Sequence, residues 1–187
     1  MISAVYDSCV IYPPSLRDLL LHLAEARIVH AHWSNDIHEE WIRSVLKDRP
    51  DLSRPMLEKA RKAMDTSIRD ALVTGYEHLI ESLQLSDKDD RHVLAVAIRA
   101  GASLIVTHNL RDFPDAVLEP YGVKAISPDD FLMRLIAENA KAVLDVVKLQ
   151  RERLKNPPKT VEEHLATLER QRLSKTVAFL REHRDEI

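Results

Sequence analysis

Residues 89–114 read DDRHVLAVAIRAGASLIVTHNLRDFP: an acidic start, an apolar run, one glycine, a β-branched run and a polar break. Val93, Leu94, Ala97 and Ile98 recur at the spacing of one helix face. Gly101 closes that helix, because glycine takes the left-handed cap with least steric cost. SLIVT, residues 103–107, is then the strongest strand signal in the chain, apolar on both faces. A strand of that kind is covered on both sides. A helix feeding such a strand argues for a parallel sheet clothed by helices.

Working outward, SAVYDSCVIY (residues 3–12) reads as a buried strand interrupted by Asp7, with a turn at Pro13-Pro14. Leu16, Leu19, Leu20 and Leu23 then mark a helix. RIVHAHW is a second strand, and Ser34 to Lys47 a second helix with Asp36 and Glu39 at capping-box spacing. A third helix opens at Ser53 and Pro55 and runs to about Leu72; residues 73–86 give a mixed signal. After the central stretch, VKAIS is a fourth strand, and Ser127-Pro128-Asp129-Asp130 launches a long helix to about Leu154. Asn156-Pro157-Pro158 is a linker, followed by a capping box at Thr160 and Glu163 and two short helices. The fold class is α/β, with a sheet domain over residues 1–135 and a helical C-terminal extension over residues 136–187.

A chain of 187 residues supports one main core with an appendage. Apolar content of 45% with 30% charged residues is that of a soluble globular protein, and no apolar run is long enough to span a bilayer. The start MISAVYDSCV lacks the basic and apolar regions of a signal peptide, so a cytoplasmic location is expected. Cys9, the single cysteine, cannot form an internal disulfide and is expected in the core. Net charge is −3, unevenly spread: residues 138–187 carry 11 Lys/Arg against 9 Asp/Glu, and residues 1–137 carry 16 against 21. An acidic front is a poor electrostatic match to a polyanion unless a bound cation reverses the sign locally.

Isolated carboxylates recur where strands end or helices begin. Asp7 lies in the first apolar strand, where an unpaired carboxylate costs several kcal/mol, about enough to demand a partner or a metal. Of Glu39 and Glu40 only one can face inward, and Glu40 adjoins the stripe of Ile37, Trp41 and Val45. Asp90 shares the apolar face of Val93 and Leu94, with Asp89 the better N-cap and Asp87 in the preceding loop. Asp112 follows the SLIVT strand, near Thr107 and Asn109, which offer neutral oxygens. A parallel sheet brings Asp7, Glu40, Asp90 and Asp112 to one edge. An all-oxygen set of this kind selects hard Mg²⁺ or Mn²⁺ over zinc.

The order YDSCV, HEEW and then DDRHVLAVAIRAGASLIVTHNLRDFP resembles the PIN domain family of metal-dependent ribonucleases, above all the VapC-type toxins. The resemblance covers about residues 1–135, and the tail from PPKTVEEHL looks like the helical extension of one subgroup. It implies a PIN-like, Rossmann-like α/β/α sandwich with a central parallel sheet. It implies an endoribonuclease that hydrolyses RNA phosphodiester bonds, the toxin of a type II toxin–antitoxin pair, with an antitoxin protein as partner. Carried onto this chain, the metal-binding and catalytic acids are Asp7, Glu40, Asp90 and Asp112, with Thr107 and Asn109 in support. Asp7 and Asp90 would bind the ion directly, and Glu40 and Asp112 through water or a second ion. Divalent ions activate water and stabilise charge on the phosphoryl oxygens, leaving a 5′-phosphate and a 3′-hydroxyl. Arg91 and Arg111 are candidates for phosphate contacts, ahead of His92 and His108.

Two other readings stand beside this one. A non-catalytic PIN-like interaction module would use Trp41 and the Leu16 to Leu23 stripe as a docking face. A phosphatase with Asp7 as nucleophile would need a second acid where Cys9 stands. The tail has three candidate roles, packing on the sheet domain, homodimer formation or lending Lys and Arg to RNA.

Overall fold

The computed structural model describes residues 1–187. Four strands, β1 (Ile2–Tyr6), β2 (Val29–His32), β3 (Leu104–Val106) and β4 (Lys124–Ile126), form one parallel sheet in the order β2-β1-β3-β4. The helices between them are α1 (Ser8–Ile11), α2 (Pro14–Glu25), α3 (Asn35–Asp48), α4 (Arg54–Ser67), α5 (Glu77–Ile80), α6 (Arg91–Ala100) and α7 (Asp115–Leu118). The extension is α8 (Pro128–Arg153), α9 (Val161–Glu169) and α10 (Ser174–Glu182). The α/β sandwich with a central parallel sheet is thus as expected. No helix is long and apolar enough to cross a membrane.

The strand order reverses between β1 and β3, since the chain moves from β1 outward to β2 and returns to the other side. Open parallel sheets bind ligands in the crevice beyond the strand ends at such a point. Helices that run antiparallel to the strands begin at this same edge, which is why α3, α6 and α8 start there. Gly101 caps α6 with φ +64°, the conformation expected of it.

Local structure departs from the sequence reading in five places. Residues 8–11 are not a continuation of β1: Asp7 ends the strand and caps the turn of helix α1. The cap of α3 is Ser34, whose hydroxyl accepts from the Ile37 amide, so Asp36 and Glu39 form no capping box. Helix α4 stops at Ser67 because residues 71–73 turn to pair with Trp33: its amide donates to Ala71 and its carbonyl accepts from Val73. The N-cap of α6 is Asp90, not Asp89. The long helix α8 breaks at Asn139 (φ −159°, ψ 82°), just beyond the expected division at 135/136.

The extension does not stand apart. Val143, Leu144, Leu165, Leu168, Val177 and Leu180 belong to the same apolar cluster as Val5, Leu19 and Val106. Trp41, Leu16, Leu19 and Leu23 are fully buried in it, so they present no docking face. Asp129, in the first turn of α8, anchors α10 from below: its carboxylate accepts from the Lys175 amide (2.9 Å), the Thr176 amide (2.9 Å) and the Thr176 hydroxyl (2.8 Å). Asp129 is itself buried, so its loss strands these donors. Asp129→Ala is expected to cost about 2–4 kcal/mol, as buried donors lose a charged acceptor. Urea unfolding would show it as a lower midpoint; an unchanged midpoint would mean that α10 is held by its apolar contacts alone.

Candidate active site

Beyond the ends of β1 and β3 the chain places its most constrained carboxylate. The Asp7 amide donates to the Val106 carbonyl (3.1 Å), which continues the β1–β3 ladder by one residue. Its side chain is buried and saturated. Oδ1 accepts from the Ser8 amide at 2.6 Å, and Oδ2 accepts from the Thr107 hydroxyl at 2.7 Å and from the Cys9 thiol at 3.1 Å. Thr107 is fixed in turn by the Asn109 amide, which donates to its oxygen at 3.0 Å. Asn109 therefore supports the site through its backbone, and its side chain is exposed.

Cys9 was expected in the core and instead lies half-buried against this carboxylate. Its sulfur also accepts from the His108 amide (3.3 Å). Burial and then the charge of Asp7 push its thiol up to about 12, so it is a neutral donor to Asp7 and not a reactive thiolate.

Asp90 faces the same crevice from the start of α6 and caps no backbone amide with its side chain. Burial, followed by the charges of Asp7, Asp87, Asp112 and Glu40, raises its carboxyl from 3.8 to about 7. Asp7, Glu40 and Asp112, the other three acids predicted from the sequence, thus stand close enough to Asp90 for their charges to act on it. Asp112 is half-buried in a 3-10 turn, Leu110–Asp112, directly after the β3 end. Asp87 remains in the loop, where its Oδ1 accepts from the Asp89 amide (2.9 Å).

Glu39 and Glu40 have different partners. Arg54 holds Glu39 in a bidentate pair at 2.7 and 3.0 Å on the outside of the helix. Glu40 turns inward and bonds the His92 ring, Nε2 to Oε1, at 2.8 Å. Helix α3 is locked in that rotation by a buried network. Trp41 Nε1 donates to His38 Nδ1 (2.9 Å), leaving Nε2 to donate to Asp65 (3.0 Å), which also accepts from Trp33 (2.8 Å). His38 is fully buried between α3 and α4, and burial lowers its basicity. Neither this network nor the His92–Glu40 bond has a local sequence signal, since their partners lie 27 and 52 residues apart.

Burial lowers the basicity of His92, but Glu40 and the acids behind it outweigh that effect and leave it raised. A raised folded value means the pair contributes stability below the usual imidazole range and loses it as pH rises through the folded value. His92→Gln should therefore lower the urea midpoint more at acidic than at alkaline pH. A pH-independent difference would mean the pair is uncharged throughout.

Arg91 is turned back to the Leu85 carbonyl at 3.4 Å, whereas Arg111 is exposed. The structure therefore leaves Arg111, not Arg91, free at the rim. His108 is half-buried, and its basicity is lowered by burial and then by Arg172 of the extension, against the opposing charge of Asp7.

No three Asp, Glu, His or Cys side chains stand close enough together to hold a metal ion as placed. The donor set is nonetheless suited to a hard cation: its acids are oxygen ligands, and their repulsion is recorded in Asp90. The residues fit Mg²⁺ or Mn²⁺ by charge and by donor chemistry.

A family model described as PIN domain matches residues 3–111, more than half of the chain, which takes in Asp7, Glu40 and Asp90 and ends one residue before Asp112. The chain belongs to the PIN domain family. A second model, described as the VapC50 C-terminal domain, matches residues 128–182, which covers α8, α9 and α10. A relative from Mycobacterium tuberculosis (strain ATCC 25618 / H37Rv), described as "Putative ribonuclease VapC50", is 44% identical over 99 residues. The match takes in 49% of this chain and 58% of that relative, so the PIN chain described here spans little more than half of the relative's length. No solved structure matches significantly.

Proposed function

We propose that this PIN protein is a Mg²⁺- or Mn²⁺-dependent endoribonuclease, the toxin of a type II toxin–antitoxin pair whose partner is an antitoxin protein. The observation that carries the reading is the state of Asp90 at the edge where the strand order reverses: burial, and then the charges of Asp7, Asp87, Asp112 and Glu40, raise its carboxyl to about 7. The relative described as a ribonuclease supports RNA as the substrate. Cytoplasmic RNA is where such a toxin would act.

Asp7 and Asp90 would hold the ion, with Glu40 and Asp112 completing the charge. The bound ion supplies positive charge to the phosphoryl oxygens and makes a water nucleophilic near neutral pH. The chain's own residues set the geometry. Thr107, Ser8 and Cys9 fix both oxygens of Asp7 by donating to them, and His92 orients Glu40. Asp90, with no cap bond to make, is the acid free to adjust to a ligand.

The test is cleavage of a panel of single-stranded and hairpin RNAs with Mn²⁺, with chelator, and with Asp7→Asn protein prepared identically. Metal-dependent cleavage that ends inside the RNA and disappears in the variant is the expected result. Cleavage that survives chelation or the substitution would refute the metal-dependent assignment.

A further inference from the structure

The α9–α10 turn of the extension meets the sheet domain at the edge that carries the acids. Thr107 donates its amide to Ile126 at the end of β4, and α8 starts one residue later with Ser127 as its cap. Asp129 then binds the amides of Lys175 and Thr176 and so ties the start of α10 to that edge. Leu173 is fully buried beneath the turn. Arg172, between the buried leucine and the end of α9, is held out at the surface.

Three features set Arg172 apart from its neighbours. Arg170 donates to Thr167, Lys175 pairs with Asp130 at 2.6 Å and Arg181 pairs with Glu169 at 3.1 Å, whereas the Arg172 guanidinium has no hydrogen-bond or ion-pair partner. Its backbone is left-handed, φ 62°, a conformation in which glycine is the favoured residue and a long side chain is strained. It also stands close enough to His108 for its charge to act on that ring, which feels the charge of Asp7 as well. An unpaired cation kept in a strained turn at the rim of an acidic crevice is suited to a substrate anion.

We propose that Arg172 is a phosphate anchor for RNA at the rim of the acidic crevice, so that the C-terminal extension completes the substrate-binding surface of the PIN domain. This rests on the ribonuclease reading above. RNA approaching four carboxylates is repelled over about a Debye length, some 8–10 Å. Arg172 offers a fork of donors to a backbone phosphate next to the one being cut, without reading base identity.

The experiment uses the full chain with Arg172→Gly and Arg172→Lys. Glycine suits the φ of this turn, so Arg172→Gly keeps the fold while removing the exposed side chain and its guanidinium; its melting temperature should not fall. Cleavage of a single-stranded RNA with Mn²⁺ should show KM raised about tenfold with kcat within about twofold, as expected for a contact made equally before and during reaction, and lysine should fall between. RNA binding to the Asp90→Asn chain, read by fluorescence anisotropy, should lose about 0.7 from its salt slope when Arg172 is also replaced, the value for one phosphate contact on a single strand. Unchanged KM and salt slope in Arg172→Gly would overturn the anchor while leaving the nuclease intact, and would point to a protein contact for this side chain. A wild-type chain that neither cleaves nor binds RNA would overturn both readings together.

Discussion

Asp90→Asn should abolish RNA cleavage, by about a hundredfold or more, and yet make the metal-free protein more stable. The two effects have one cause. Burial and the charges of Asp7, Asp87, Asp112 and Glu40 raise the Asp90 carboxyl from 3.8 to about 7, so its ionised form is disfavoured in the folded chain. A raised carboxyl leaves stability untouched below the unfolded value. The penalty grows as pH rises from there and is complete above the folded value. Asp90 is partly open to solvent, which reduces the gain from removing its charge to about 1–2 kcal/mol. For a chain of this size that is roughly 3–6 °C in melting temperature. Calorimetry with chelator should find the variant more stable at pH 8 and less distinct from wild type at pH 5. Added Mn²⁺ should reverse the order, because it binds the folded wild type in preference to the unfolded chain. A variant less stable than wild type in chelator would mean that Asp90 is held by a favourable contact and is not poised for a cation.

Asp7 should behave in the opposite way. Asp7→Ala is expected to lose all RNA cleavage and also about 2–3 kcal/mol of stability. Its carboxylate is the acceptor for Ser8, Thr107 and Cys9, and the Ser8 and Thr107 bonds tie the end of β1 to helix α1 and to the end of β3. Asp7→Asn keeps one acceptor oxygen for the Ser8 amide, so it should be less destabilised and equally inactive. Urea unfolding of the two variants, with cleavage measured on the same preparations, separates the structural role from the chemical one. Cleavage at wild-type rate by either variant would place the catalytic centre elsewhere.

The contrast between these two acids follows from their positions. Asp7 sits where a strand turns into a helix, and its oxygens are taken up by local donors that the turn itself supplies. Asp90 opens a helix without a side-chain cap bond, and burial and the neighbouring carboxylates both act against its charge. A site built from one clamped and one unsatisfied acid combines a fixed reference point with a ligand that can move. Proteins commonly give up stability at such places.

Much of the architecture was legible along the chain. Apolar runs such as SLIVT, helix faces such as Val93, Leu94 and Ala97, the left-handed Gly101 and the capping box at Thr160 all act within a few residues, and each lies where its local chemistry required. The parallel sheet follows from strands apolar on both faces, and with it the edge beyond β1 and β3 where the strand order reverses. Sequence by itself therefore determined the fold class, and it proposed Asp7, Glu40, Asp90 and Asp112 as the acids of the site. What only the tertiary structure decided depends on partners far away in the chain. Arg54 takes Glu39 and leaves Glu40 to His92; Thr107 reaches Asp7 across 100 residues; Trp33 draws residues 71–73 out of helix α4. Asp129 takes the amides of Lys175 and Thr176, 46 and 47 residues further on, and so ties the start of α10 to the start of α8. Periodicity and capping report interactions that close over one or two turns, whereas a hydrogen bond between distant residues exists only once the core has brought them together.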